Sequence, residues 1–145
     1  MAHWHSGKWR PLLVRRPLAR GLAMKAILFV DDNEVLCRLT CDILRLEGYR
    51  AVPAYNAAEA LKVFDEENFD IVVTDVRMQG MSGLELARAI HNKNPQLPVI
   101  LVTAYGHVEA EDVRACLAKE EMFPNLLEKI RLLLSEAEAE VEKVS

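Results

Sequence analysis

Several things are scarce in this chain of 145 residues. No apolar run approaches the roughly 18 residues that a membrane-spanning helix needs, so no membrane span is expected. Cysteine appears three times, as Cys37, Cys41 and Cys116; an odd number without framework spacing excludes a disulfide scaffold and fits a reducing, cytoplasmic setting. Cys37 and Cys41 stand four apart on an expected helix, but nothing nearby completes a metal-ligand set, and packing is their expected role. Internal repeats are lacking as well. The first 23 residues contain no acid at all, only Lys8, Arg10, Arg15, Arg16 and Arg20, which leaves the rest of the chain with a net charge of −9. A body that acidic argues against nucleic acid as a partner. At this length the chain is about one domain, and no effector module is visible.

What is present is a set of short apolar runs, several ending in a chemically useful residue. Ile27-Leu28-Phe29-Val30 ends in Asp31-Asp32, and Ile71-Val72-Val73-Thr74 ends in Asp75. If both are parallel central strands of one sheet, their acids meet at one edge, where open α/β sheets place their sites. Three crowded carboxylates repel unless a cation sits among them, and an all-oxygen cluster with room for water suits Mg2+ better than zinc or copper. A third run, Pro98-Val99-Ile100-Leu101-Val102, ends in Thr103, and Lys119 follows a shorter apolar stretch. A hydroxyl and an ammonium beside a cation-binding carboxylate make an oxyanion receptor of the kind phosphoryl transfer requires, with Asp75 as the acceptor.

Between these runs the chain alternates strand with helix, as in a doubly wound sheet. A helix is expected over residues 33–47, with Val35, Leu36, Leu39, Ile43 and Leu46 on its apolar face and Gly48 as its stop. A weaker edge strand follows at 50–54, interrupted by Pro53. Asn56 and Glu59 suit the N-cap and third position of a helix running to about Glu66. A strand at 70–74, a helix near 84–91, a strand at 99–102 and a final helix from Asn125 to about Glu140 complete the pattern.

With these elements in place, the chain resembles the receiver domain of bacterial two-component response regulators. The resemblance is carried by Val30-Asp31-Asp32-Asn33, the segment from Asp75 through Arg77, Met78, Gly80 and Met81 to Gly83, Val102-Thr103-Ala104-Tyr105-Gly106, and the amphipathic Leu126-Leu127-Glu128-Lys129-Ile130. It implies a flavodoxin-like parallel sheet of five strands in the order 2-1-3-4-5. It further implies that Asp31, Asp32, Asp75 and the backbone carbonyl of Arg77 hold Mg2+, that Asp75 is phosphorylated, and that Thr103 and Lys119 grip the phosphoryl oxygens. Arg77 and Tyr105 would modulate hydrolysis of the phosphoryl group. The implied partners are a histidine kinase or phosphotransfer protein and a downstream protein target.

Three segments are expected: a basic extension over 1–23, the receiver over 24–135 and an acidic helix end over 136–145. The extension reads as a disordered tail or a start assigned too early; a basic arm for a membrane surface or partner, and a cleaved targeting peptide, are the other readings.

The chain departs from the family pattern between Thr103 and the last helix. Placing Lys119 after a fifth strand at 113–118 leaves only residues 104–112 as the crossover, so the fourth helix must be shortened or missing. Apolar surface beside the fourth and fifth strands would then be bare and favour a homodimer. The rival alignment makes 108–120 one helix and removes Lys119 from the site. Glu120 stands where the family usually has a proline in a cis peptide bond, Gln79 replaces another common proline, and Cys116 takes the place of an aromatic switch residue. These departures motivate a second reading, a degenerate receiver that serves as a docking or dimerisation module without productive phosphorylation. An enzyme acting on an external substrate, such as a phosphatase-like hydrolase, is disfavoured because no substrate cap or extra base is visible.

Overall fold

The computed structural model describes residues 2–5, 8–11, 24–104, 106 and 108–144, with the backbone alone for 2–5, 8–11, 124 and 141–144. Of the basic extension, Ala2–His5 and Lys8–Pro11 pair antiparallel as a two-stranded sheet of their own, and the remainder lies outside the described residues.

The main sheet is parallel: β1 (Ala26–Val30), β2 (Arg50–Ala54), β3 (Ile71–Asp75), β4 (Val99–Thr103) and β5 (Ala115–Ala118), laid out as β2-β1-β3-β4-β5. That is the expected 2-1-3-4-5 order. Every residue of β1, β3 and β4 is buried, which explains why these strands read as unbroken apolar runs: helices cover both faces, so neither side of the pleat needs polar residues. Alternation sorts the side chains. Ile27, Phe29, Ile71, Val73, Ile100 and Val102 share one core with α1 (Glu34–Leu46) and the carboxyl-terminal helix (Met122–Val144). Leu28, Val30, Val72 and Val99 face the other core, with α2 (Ala57–Glu66) and α3 (Gly83–Lys93).

Each of the first three helices starts on a side-chain cap. Asn33 accepts from the Leu36 amide at 3.1 Å, Asn56 from the Glu59 amide at 2.8 Å, and Ser82 from the Glu85 amide at 3.2 Å. These caps fix where the loops at the carboxyl edge of the sheet end.

One face assignment fails. The buried side of α1 consists of Cys37, Thr40, Cys41 and Leu44, whereas Val35, Leu39 and Leu46 are exposed at 77%, 52% and 80%. The helix carries two apolar stripes, and the smaller side chains face the sheet. Cys37 seats its thiol toward the Phe29 and Ala54 carbonyls, at 3.4 and 3.7 Å. The carboxyl-terminal helix is entered through a short turn at Met122, and a break in helical geometry at Phe123 places the start of its continuous part close to the expected Asn125.

Between β4 and β5 the described residues contain no helix, only a turn at Glu111–Asp112, so the fourth helix of the family pattern is missing. β5 is a strand, shorter than the expected 113–118, and its pairing of Thr103 with Ala118 settles the alignment in favour of Lys119 at its end. Among the described residues the expected bare apolar patch is absent. Leu101 and Val102 on β4 stay buried, and among the described residues from 104 to 118 no large apolar side chain is exposed. The groove beside β5, about 450 Å3, is floored by Val113, Ala115 and Cys116, small or half-buried side chains that need little cover. In place of its own helix the crossover is tied to α3: the Asp112 carboxylate lies 3.5 Å from Arg88 and 3.7 Å from His91. Partly exposed pairs of this kind contribute no more than about 1 kcal/mol each. Asp112→Ala should therefore accelerate amide exchange across residues 108–114 several-fold while lowering global stability by less than about 1 kcal/mol. Exchange unchanged in that segment would show that backbone contacts alone hold the crossover.

Candidate functional site

The ladder registers build the site. Val30 pairs with Thr74, so Asp31 at the end of β1 stands beside Asp75; Asp75 pairs with Val102, which puts Thr103 one step beyond; and Thr103 pairs with Ala118, which delivers Lys119. Four neighbouring parallel strands thus end in a row of polar residues at one edge.

Asp31 is fully buried. Its amide donates to the Ala54 carbonyl at 3.1 Å, and its carboxylate accepts from the Asn33 amide at 2.9 Å. Asp32 is exposed at the mouth, whereas Asp75 and Thr103 are buried. One oxygen from each of Asp31, Asp32 and Asp75 can be chosen so that all three lie within 4.8 Å of one another. Lys119 Nζ bridges the two buried acids, 3.2 Å from an oxygen of Asp31 and 3.2 Å from one of Asp75. Arg77 follows Asp75 by two residues in the loop to α3, with its side chain exposed, and Tyr105 lies outside the described residues.

Burial, together with the negative charge of Asp31, raises the Asp75 carboxyl above the ordinary carboxylate range; Lys119 offsets this only in part, and Asp32 adds to it. For Lys119, burial acts to lower the ammonium, but the charges of Asp31 and Asp75 outweigh it and the group is raised. Three carboxylates against one ammonium leave an excess of negative charge that a divalent cation would neutralise. The donors are all oxygen and one of them opens to solvent, which fits a hard, partly hydrated cation such as Mg2+.

Comparison with known proteins agrees with this geometry. The response regulator receiver domain family matches residues 27–138. The transcriptional regulatory protein ZraR of Klebsiella oxytoca is 37% identical over 113 residues, 77% of this chain and 26% of that protein. A cyclic di-GMP phosphodiesterase of Thermotoga maritima is 34% identical over 115 residues, 77% of this chain and 30% of that protein. The chain therefore spans less than a third of the length of these curated relatives. Among solved structures, the response regulator protein TrrA of Thermotoga maritima, in complex with Mg(2+)-BeF, superposes with a TM-score of 0.71 at 38% identity, covering 76% of this chain and 99% of that one. The same regulator in complex with the histidine kinase ThkA matches with a TM-score of 0.70 at 39% identity, covering 77% and 99%. A CheY-like receiver domain protein of Methanospirillum hungatei gives a TM-score of 0.75 at 32% identity, covering 81% and 99%. This chain belongs to the response regulator receiver domain family, the receivers of two-component signal transduction.

The sequence pointed to five residues that the fold brings to one edge: Asp31, Asp32, Asp75, Thr103 and Lys119. Gly83 was visible only as part of a motif, with no role attached; its importance depends on a close backbone approach that no periodicity reveals. The raised Asp75 carboxyl has a consequence for stability. The folded protein holds this proton more tightly than the unfolded chain, so the group's contribution is fully present below the ordinary value of 3.8 and is lost as pH rises through the raised value. Without divalent cation, Asp75→Asn should melt at a higher temperature than wild type at pH 7, and the gap should close below about pH 4. Wild type melting above the variant at both pH values would contradict this electrostatic reading.

Proposed function

We propose that this chain is a phosphoacceptor: a histidine kinase or phosphotransfer protein donates a phosphoryl group to Asp75, and the modified domain presents an altered surface to a downstream protein. The observation that carries the reading is the buried Asp31–Lys119–Asp75 bridge beside the exposed Asp32, with both contacts at 3.2 Å. Asp32, Asp31, Asp75 and the Arg77 backbone carbonyl would hold Mg2+. Bound there, the cation supplies charge neutralisation for the transferring phosphoryl oxygens. An oxygen of Asp75 attacks phosphorus, the bond from phosphorus to the donor nitrogen breaks, and its electron pair stays on the donor imidazole. Lys119 and the Thr103 hydroxyl grip two phosphoryl oxygens and keep the group in line. The family resemblance assigns the positions of Arg77 and Tyr105 to modulation of hydrolysis, and large residues at both would slow it by restricting the approach of water.

Intact mass after incubation with acetyl phosphate and Mg2+ tests this. One phosphoryl group should be added, with labelling lost on chelation and in Asp75→Ala. Full labelling of Asp75→Ala would overturn the assignment. The missing crossover helix favours the second reading, a docking module without productive phosphorylation, and absence of labelling in wild type would decide for it.

The exposed stripe of α1 offers one surface on which a phosphodonor could dock. Val35, Leu39 and Leu46 lie along one open, apolar face of the helix that follows directly after Asp31 and Asp32. Leu39→Glu should cut phosphoryl transfer from a cognate kinase about tenfold or more, as expected for a central apolar contact, and leave acetyl phosphate labelling unchanged. Equal loss with both donors would place the defect in the pocket.

A further inference from the structure

Gly83, the first residue of α3, lies against the peptide that follows Asp75. Its amide donates to the Val76 carbonyl at 2.8 Å. A Cβ built at this position would stand 2.0 Å from the Asp75 carbonyl oxygen, 2.9 Å from its carbon and 3.0 Å from Val76 Cα. These separations are far inside van der Waals contact, and every atom met is backbone, so no side-chain rotation can relieve them. The loop's other glycine is required for a different reason: Gly80 has φ +80°, with nothing within 4 Å of where its Cβ would be. Gly80 supplies conformation, whereas Gly83 supplies room.

The same Asp75 carbonyl accepts from the Thr74 hydroxyl at 3.0 Å. The amide end of that peptide is pinned to β4, where Val76 N–H donates to the Val102 carbonyl at 3.0 Å, and its carbonyl end is set by Thr74 from one side and by the closeness of α3 on the other. The opposite half of the pocket is held separately, with Asp31 bonded to Ala54 and Asn33. A shift of the Asp75 peptide would thus change the separation between the acceptor and Asp31–Asp32, not carry the whole pocket along. Nor can α3 retreat easily from an added methyl group, since Leu86, Ala87 and Ile90 anchor it with no exposed surface.

We infer that Gly83 is a positioning residue for the phosphoryl transfer proposed above: its missing side chain lets the first turn of α3 seat on the Asp75–Val76 peptide and so sets the distance between acceptor and cation-binding carboxylates. The inference rests on the phosphoacceptor reading. Its test compares Gly83→Ala with Gly80→Ala, which reports the cost of general backbone strain. Three quantities are measured for each: Mg2+ affinity by calorimetric titration, initial labelling rate with acetyl phosphate at saturating Mg2+, and melting temperature.

In Gly83→Ala, affinity and rate should each fall about tenfold or more, because a displacement of about 1 Å can cost on the order of 100-fold. Gly80→Ala, at a comparable loss of melting temperature, should stay within about twofold of wild type in both. Thr74→Val keeps the shape of the buried side chain and removes the other contact on the same carbonyl; it should weaken Mg2+ binding and labelling in the same direction, and it serves if Gly83→Ala does not fold. Wild-type affinity and rate in Gly83→Ala would overturn the inference. So would losses that track melting temperature equally in the two glycine variants, or, if Gly83→Ala fails to fold, wild-type behaviour of Thr74→Val. Absence of labelling in wild type would instead count against the phosphoacceptor reading, and the Mg2+ titrations would still decide the role of Gly83.

Discussion

Negative charge gathered at one edge of a parallel sheet is the constraint around which the rest is arranged. Asp31 and Asp75 are buried next to each other with Asp32 at the mouth, an arrangement that opposes folding unless positive charge answers it. Lys119 provides part of that answer from the far side of the sheet, reaching both buried acids. Its presence there depends on β5 pairing with β4 in the one register that ends at Lys119. The strand ladders, the caps that end the loops and the seating of α3 all serve to keep four polar side chains at a fixed spacing.

Loss of the crossover helix shows how local that constraint is. The chain abandons a whole helix on the α3 side of β5, yet β4 remains buried and Lys119 reaches the pocket. Small side chains at Ala115 and Cys116 lower the demand for cover, and the contacts of Asp112 with Arg88 and His91 let α3 hold the crossover. A half-buried thiol, Cys116, stands where the family pattern has an aromatic switch residue, so no rotating aromatic ring can operate at that position.

Much of the fold was legible because each central strand is apolar throughout and stops at a polar residue with a job. The cap at Asn56 was equally readable, since capping chemistry is local. The inward face of α1 was misread for a physical reason: the helix has an aliphatic stripe through Val35, Leu39 and Leu46 and a second, smaller one through Cys37, Cys41 and Leu44, and periodicity alone cannot say which meets the sheet. Residues 113–118 fitted both a strand and the middle of a helix over 108–120; only the pairing of β5 with β4, a long-range contact, separates the two. The separation between Gly83 and the Asp75 peptide belongs to the same class, because it comes from how α3 docks and leaves no trace in composition.

The abbreviated crossover also bears on chain entropy. Closing a loop costs only about (3/2)RT times the logarithm of its length, so six or so residues more or fewer between β4 and β5 change that cost by a few tenths of a kcal/mol. Conformational entropy therefore places almost no limit on what connects Thr103 to Ala115. Here the described part of the connection holds only a turn tethered at Asp112, and the same sheet edge would tolerate a far longer excursion, even an inserted module, provided the chain returned to the register that carries Lys119 home.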